Sequence, residues 1–236
     1  MRSLTLALDA LPSLREATAA GDVDVAAAAT LADLAGADAV RLSVNEDLKP
    51  VREEDVRETR RAARRLELRM PPNSSLLKVA LEARPDGVVL AAEGRDGRLP
   101  SRPLDLQSRG TSLGPVLRGL GEAGIPVAAV VAPDIESVKR IHAEGVSGVE
   151  LFTGAIVDLP EPERSRALER LGDAVRLAAK LDMVVSVGGG LGYRTLPEVI
   201  RAAPAIERVV VGRAALARAL LVGIDRALRD LRELVG

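Results

Sequence analysis

The chain has 236 residues, 47% of them hydrophobic and 28% charged, enough for one sizeable core. With 33 basic against 34 acidic residues its formal net charge is −1, so no global field draws it to nucleic acid or to a membrane surface. Aromatic residues amount to 1% (Phe152 is the sole Phe, Tyr193 the sole Tyr, and there is no Trp) and cysteine is absent, which excludes base-stacking platforms, disulfides, thiolate nucleophiles and thiolate metal sites.

Short apolar runs alternate with longer helix-patterned stretches along the chain. The expected strand Leu4–Asp9 is followed by a helix over Val23–Ala35, and the strand Ala39–Val44 by a helix over Glu53–Arg65. Leu66–Met70 leads to the helix Ser74–Ala83, with Asn73 as its N-cap, and Gly87–Ala92 to the helix Gly114–Ala123. Pro126–Ala132 precedes Ile135–Glu144, capped by Asp134, and Gly148–Phe152 precedes Glu161–Leu181. The last two units are Met183–Val187 with Leu196–Ala202, and Arg208–Val211 with a long helix over Ala214–Leu234. Gly36, Gly124 and Gly145 sit where helices hand over to the next strand.

Eight strand–helix units imply parallel pairing through right-handed crossovers, and predict a closed (β/α)8 TIM barrel as a single domain over residues 1–236. Its interior is expected to be packed with layers of branched aliphatics and alanine. No apolar run approaches the roughly 18–20 residues of a membrane span. Met1-Arg2-Ser3 also runs directly into strand-like sequence without a leader pattern, so a cytoplasmic location is expected. One connection, 94–113, has Gly, Arg, Pro and Ser character without helical pattern. Following the fourth strand, it emerges on the barrel face where active sites lie and reads as a lid or contact arm.

The chemistry-bearing signals converge on that face. Val187 is followed by Gly188, Gly189, Gly190, Leu191 and Gly192, a loop whose backbone can approach a ligand closely and aim its N–H groups. Gly212-Arg213 opens the last helix, where free N–H groups, the positive dipole end and the arginine charge favour an anion. Loops after strands 7 and 8 together predict a cup for a phosphorylated small molecule. Phe152 and Tyr193 both fall at the barrel mouth, either plugging the core or flanking a ligand.

Asp9, Glu93 and Glu150 are the candidate acids or bases, with Lys49 as a further proton carrier, and Glu150 the foremost as a carboxyl on an inner strand. Arg15, Asn45 and Arg69 are expected to join Gly188, Gly189, Gly190, Gly212 and Arg213 in binding. Arg41, Glu67 and Arg69 also read as a structural ion-pair network, the preferred reading for Arg41, because a charge inside a barrel is costly unless paired. The single histidine, His142, lies in a helix among charged neighbours and is expected to be exposed and without a role. No metal site and no cofactor are expected.

Read in order, several segments resemble the pyridoxine 5′-phosphate synthase family. They are Leu8-Asp9 with Leu14-Arg15-Glu16, "AGADAVRLSVNEDLKPVREEDVR" (35–57), "LELRMPPNSSLLKVALEARPDGVVLAAEGR" (66–95), "VELFTGAIVD" (149–158), "VSVGGGLGYRTL" (185–196) and "VVVGRAALARALLVGIDRAL" (209–228). The resemblance implies a TIM barrel that condenses 1-deoxy-D-xylulose 5-phosphate with 3-amino-2-oxopropyl phosphate, without metal or organic cofactor, and a homo-oligomeric assembly. Asp9, Arg15, Glu46, Asp47, Glu93, Arg95, Glu150, Thr153, Gly154, Gly188, Gly190 and Gly212 match the family pattern. The pattern's histidines do not recur: Ala10, Ser43, Pro50, Phe152, Gly189 and Arg213 stand in their places. Asn45 replaces the arginine of strand 2, Arg69 the glutamate of strand 3, and Leu99–Pro103 the Thr-Thr-Glu-Gly-Gly lid. These departures imply retained phosphate binding with altered or lost condensation chemistry. An authentic synthase and a non-catalytic binding or partner protein are the alternatives.

Overall fold

The computed structural model describes residues 1–93, 102–106 and 113–236. Eight parallel strands close into a barrel in sequence order: β1 (Ser3–Ala7), β2 (Ala39–Ser43), β3 (Leu66–Met70), β4 (Gly87–Leu90), β5 (Val127–Val131), β6 (Gly148–Phe152), β7 (Val184–Gly188) and β8 (Arg208–Val211). β8 returns to β1 through the register Ser3↔Arg208 to Leu6↔Val211. This is the expected TIM barrel. The helices are α1 (Ala10–Thr18), α2 (Val25–Leu34), α3 (Glu53–Ala62), α4 (Ser74–Ala83), α5 (Leu113–Glu122), α6 (Ile135–Ala143), α7 (Glu163–Lys180), α8 (Leu196–Ala202), α9 (Arg213–Val222) and α10 (Ile224–Val235). None of them is long and apolar enough to cross a membrane.

Local chemistry sets the boundaries. Asn73 accepts from Ser75 N and Asp134 from Ser137 N, each at 2.8 Å, satisfying first-turn donors of α4 and α6. The long C-terminal helix expected over 214–234 is two helices, because Gly223 takes φ 82° and breaks the helical path between α9 and α10. α1 was not expected. Its Pro12 falls in the first turn, where a missing N–H needs no partner, so a residue that looks like a breaker is tolerated.

The strands alternate strictly, and the alternation corrects the expected interior. Leu4, Leu6 and Leu8, Val40 and Leu42, Leu66 and Leu68, Val149 and Leu151, and Val209 and Val211 join one large cluster with helix residues, in the layer between sheet and helices. The opposite set points into the barrel: Thr5, Arg41, Ser43, Glu67, Arg69, Glu150 and Ser186, all buried. A small apolar cluster, Val89, Ala91 and Val130 with Ala128 and Phe152, accompanies them, and Ala7 and Val210 also line the cavity within the barrel mouth. The aliphatic layers therefore lie outside the barrel and the centre is ionic. Of the 94–113 segment, residues 102–106 are described: Ala92 N donates to Arg102 O and Leu104 N to Val130 O, laying this piece against β4 and β5. Most of the expected lid, with Arg95, lies outside the described residues.

Arg15 on α1 ties two βα units together. Its Nη1 and Nη2 donate to the two oxygens of Asp55 at 2.7 Å, and Asp55 Oδ2 also accepts from Arg52 N at 2.8 Å, across the start of α3. Burial alone would raise the Asp55 pKa, but the Arg15 and Arg52 donors outweigh it and hold the carboxyl below its ordinary value. A depressed folded-state pKa stabilises the fold above the unfolded value, and that contribution is lost as pH falls through the folded one. Arg15→Ala should therefore cost about 1–3 kcal/mol at pH 7 in urea unfolding. The gap to the wild type should shrink below about pH 4; a gap unchanged at pH 3 would contradict the assignment.

Candidate functional site

The carboxyl ends of the strands enclose a cavity of about 510 Å³ lined by residues of β1, β3, β6 and β8 and of the loops after β1, β6, β7 and β8. It brings together Asp9, Arg69, Glu150, Gly189, Gly190, Gly212 and Arg213 among the residues expected at the site.

One wall is the glycine loop. Gly189 and Gly190 have φ of 98° and 70°, a region that disfavours side chains. Space forbids them as well: a Cβ at Gly189 would lie 2.5 Å from the Phe152 ring, and one at Gly190 would lie 2.6 Å from Val157 Cγ2. Thr153, fully buried, anchors the loop. Its N–H donates to Gly188 O at 2.8 Å, and its hydroxyl reaches the carbonyls of Gly188 (3.0 Å) and Gly189 (2.5 Å). The N–H groups of Gly189, Gly190 and Leu191 have no acceptor among the described residues.

The facing wall is the N-terminus of α9. Its first backbone bond is Leu216 N to Gly212 O, so the N–H groups of Arg213, Ala214 and Ala215 point out of the helix with no acceptor among the described residues. Arg213 is exposed and has no ion-pair partner among the described residues. Dipole, N–H groups and guanidinium together favour an anion here.

Beneath these walls the floor is ionic. Arg41 is 2% exposed and donates through Nη1 to Glu150 Oε2 at 2.6 Å, and through Nε and Nη2 to Glu67 Oε2 at 3.1 and 2.8 Å. Burial opposes the Arg41 charge, but Glu150 and Glu67 more than restore it and raise its pKa above the ordinary value. Asp9 caps no donor of α1. Its Oδ1 accepts from Ser43 N at 2.6 Å, and its Oδ2 from Ser43 Oγ at 3.0 Å and Arg69 Nη2 at 2.9 Å. Arg69 Nε donates to Ser43 Oγ at 2.8 Å. Burial lowers the Arg69 pKa, against the pull of Asp9. Glu150 is thus no isolated carboxyl among aliphatics, because it shares the inward face with Arg41, which it accepts from.

Other expected residues lie elsewhere. Arg15 is turned to Asp55, and Asn45 donates through Nδ2 to Lys49 O at 3.1 Å, bracing the β2–α3 loop. Glu93 is exposed and accepts from Glu46 N at 3.3 Å, Lys49 is exposed, and none of the four lines the cavity. Gly188 lies behind it, with a built Cβ 2.6 Å from Glu150 Oε1. Phe152 lines the cavity, while Tyr193 turns away and donates to Ala227 O at 2.8 Å. His142 is exposed on α6. Asp158, exposed at the cavity edge, was not singled out from sequence, although it closes the "VELFTGAIVD" segment. Among the described residues no group of three or more His, Cys, Asp or Glu side chains could hold a metal ion.

A parallel eight-stranded barrel with its cavity at the carboxyl ends of the strands, walled by a glycine loop and a helix N-terminus, is a TIM-barrel protein with its site on the usual face. The family model described as pyridoxal phosphate biosynthesis protein PdxJ matches residues 4–236, and the chain belongs to this family. It is 32% identical over 237 residues to the pyridoxine 5′-phosphate synthase of Pelobacter propionicus, covering 100% of this chain and 99% of that protein. With the synthase of a Synechococcus strain it shares 34% over 238 residues at the same coverage. Phosphoribosyl anthranilate isomerase from Thermotoga maritima superposes with a TM-score of 0.62 at 14% identity, over 100% of this chain and 98% of that one, a likeness of fold alone.

The two charge classes at this site should separate in stability measurements. Arg41→Met strands Glu67 and Glu150 and should lower the unfolding free energy by about 3–5 kcal/mol. Arg213→Met, on the surface, should change it by less than about 0.5 kcal/mol. Equal effects in denaturant unfolding would overturn this picture of the floor.

Proposed function

We propose that this barrel binds a phosphorylated small metabolite at its mouth and that its condensation chemistry is altered or lost relative to its synthase relatives. The observation that carries the reading is the contrast within one cavity: the cup of N–H groups around Gly190 and Arg213 faces the ligand space, while Asp9 and Glu150 below are each engaged by a buried arginine. The phosphate sits between the glycine loop and the first turn of α9, with Arg213 as counter-charge. A guanidinium is a fixed charge with a forked set of donors, which suits binding and not proton transfer. No histidine lines the cavity, and each missing general acid or base costs a condensation about 10²–10⁴-fold.

A second reading is favoured by the full-length identity to proteins named pyridoxine 5′-phosphate synthase. In it the chain condenses 1-deoxy-D-xylulose 5-phosphate with 3-amino-2-oxopropyl phosphate, and Glu150 and Asp9 take up the proton transfers despite their partners. The same barrel with no remaining chemistry would serve as a binding partner protein. We further propose a cytoplasmic homo-oligomer, a reading that family membership supports.

Calorimetric titration with each phosphorylated substrate tests the cup. Arg213→Ala should raise the dissociation constant at least about tenfold, equivalent to about 1.4 kcal/mol. His142→Ala should leave it unchanged. A wild-type protein that binds neither compound would sink the proposal. Incubation with both substrates tests the chemistry: formation of pyridoxine 5′-phosphate at a rate typical of synthases would establish the second reading over the first.

A further inference from the structure

The two walls of the cup come from different parts of the chain, yet they touch. A Cβ built at Gly192 would lie 2.9 Å from Ala214 Cβ, so the loop backbone packs directly on the first turn of α9. Outside the cavity three side chains join the same pieces. Tyr193, the residue after Gly192, donates its hydroxyl to Ala227 O of α10 at 2.8 Å. The Arg218 guanidinium of α9 lies over the Tyr193 ring, 5.1 Å from its centroid. Arg218 also donates through Nε, at 2.8 Å, and through Nη2 to Asp230 Oδ2 on α10, while Arg226 Nε holds Oδ1 at 2.8 Å. None of Tyr193, Arg218 and Asp230 lines the cavity.

We propose that Tyr193, Arg218 and Asp230 form a clamp that positions the cup, fixing the spacing between the glycine loop and the α9 N-terminus so that both present their N–H groups to one anion. The proposal rests on the reading of the cup as a phosphate site. α9 needs such a device because little burial seats it. Only Ala215 and Leu216 of its ten residues are buried, and Leu220 and Leu221 are 77% and 85% exposed. Hydrogen bonds to an anion weaken steeply with distance and angle, so a helix free to slide would lose them one by one. Burial raises the Tyr193 pKa, opposed by Arg218 and aided by Asp230, so the phenol remains a donor at neutral pH.

The clamp carries its own reporter, since Tyr193 is the only tyrosine and the chain has no tryptophan. Inorganic phosphate titrated into the intact protein should produce a Tyr193 fluorescence change that saturates together with the calorimetric signal. Arg218→Leu should raise the phosphate dissociation constant about tenfold with an unchanged far-UV spectrum, and Arg218→Lys, which keeps a cation over the ring and near Asp230, should recover most of it. Tyr193→Phe removes only the hydroxyl bond and should raise the constant about threefold; it serves as the test where Arg218→Leu fails to fold. Wild-type affinity in both Arg218→Leu and Tyr193→Phe, or a silent Tyr193 through a saturating calorimetric titration, overturns the clamp. Arg213→Ala separates the two levels. If it weakens binding while the clamp variants do not, only the clamp is wrong; if it binds as wild type, the cup is wrong and the clamp falls with it.

Discussion

Arg41 sits at the centre of the barrel, and a guanidinium there must be neutralised where it stands. Glu67 reaches it from the neighbouring strand β3, and Glu150 from β6, four strands away and so across the barrel. One side chain therefore holds opposite walls of the sheet at a fixed separation. The consequence runs upward. With Glu150 drawn toward Arg41, its Oε1 occupies the space a side chain at position 188 would need, so β7 ends on glycine and the loop above it starts from backbone alone. It also runs sideways, through Arg208 Nη1, 3.6 Å from Glu67 Oε1.

Asp9, Ser43 and Arg69 form a second ionic unit. Asp9 accepts from both partners, and Ser43 Oγ serves as acceptor for one and donor to the other. Relative to the pattern the chain resembles, positions 43 and 69 both depart, and the two departures fit each other: a hydroxyl and a guanidinium satisfy one carboxylate. Among the described residues both carboxylates of this floor that line the cavity are engaged by buried arginines, Asp9 by Arg69 and Glu150 by Arg41. Above it, the glycine loop and the α9 N-terminus present backbone N–H groups with no acceptor among the described residues.

Family membership and local chemistry thus speak to different levels. Similarity over the whole chain fixes the barrel and its lineage. What the cavity does depends on a handful of inward positions, because a fold is a scaffold on which sites vary independently.

The sequence by itself determined the eight units and their order, since apolar alternation and helical periodicity are local and are read over a few residues, and their number favoured a closed barrel, whose β8–β1 pairing the structure supplies. It also determined the N-caps Asn73 and Asp134, the positive-φ glycines 36, 124 and 145 at the αβ turns, and the glycine loop, because each depends on the conformational preference of one residue. Tertiary structure alone decided the partners. Alternation shows that Arg41, Glu67 and Arg69 face inward, but not that Arg41 pairs with Glu150, 109 residues away, or that Arg69 pairs with Asp9. It alone turned Arg15 to Asp55 and Tyr193 to α10, away from the mouth that chain position suggested. The reason is physical: parity along a strand fixes the side of the sheet, while pairing depends on distances across a closed barrel that no local pattern encodes.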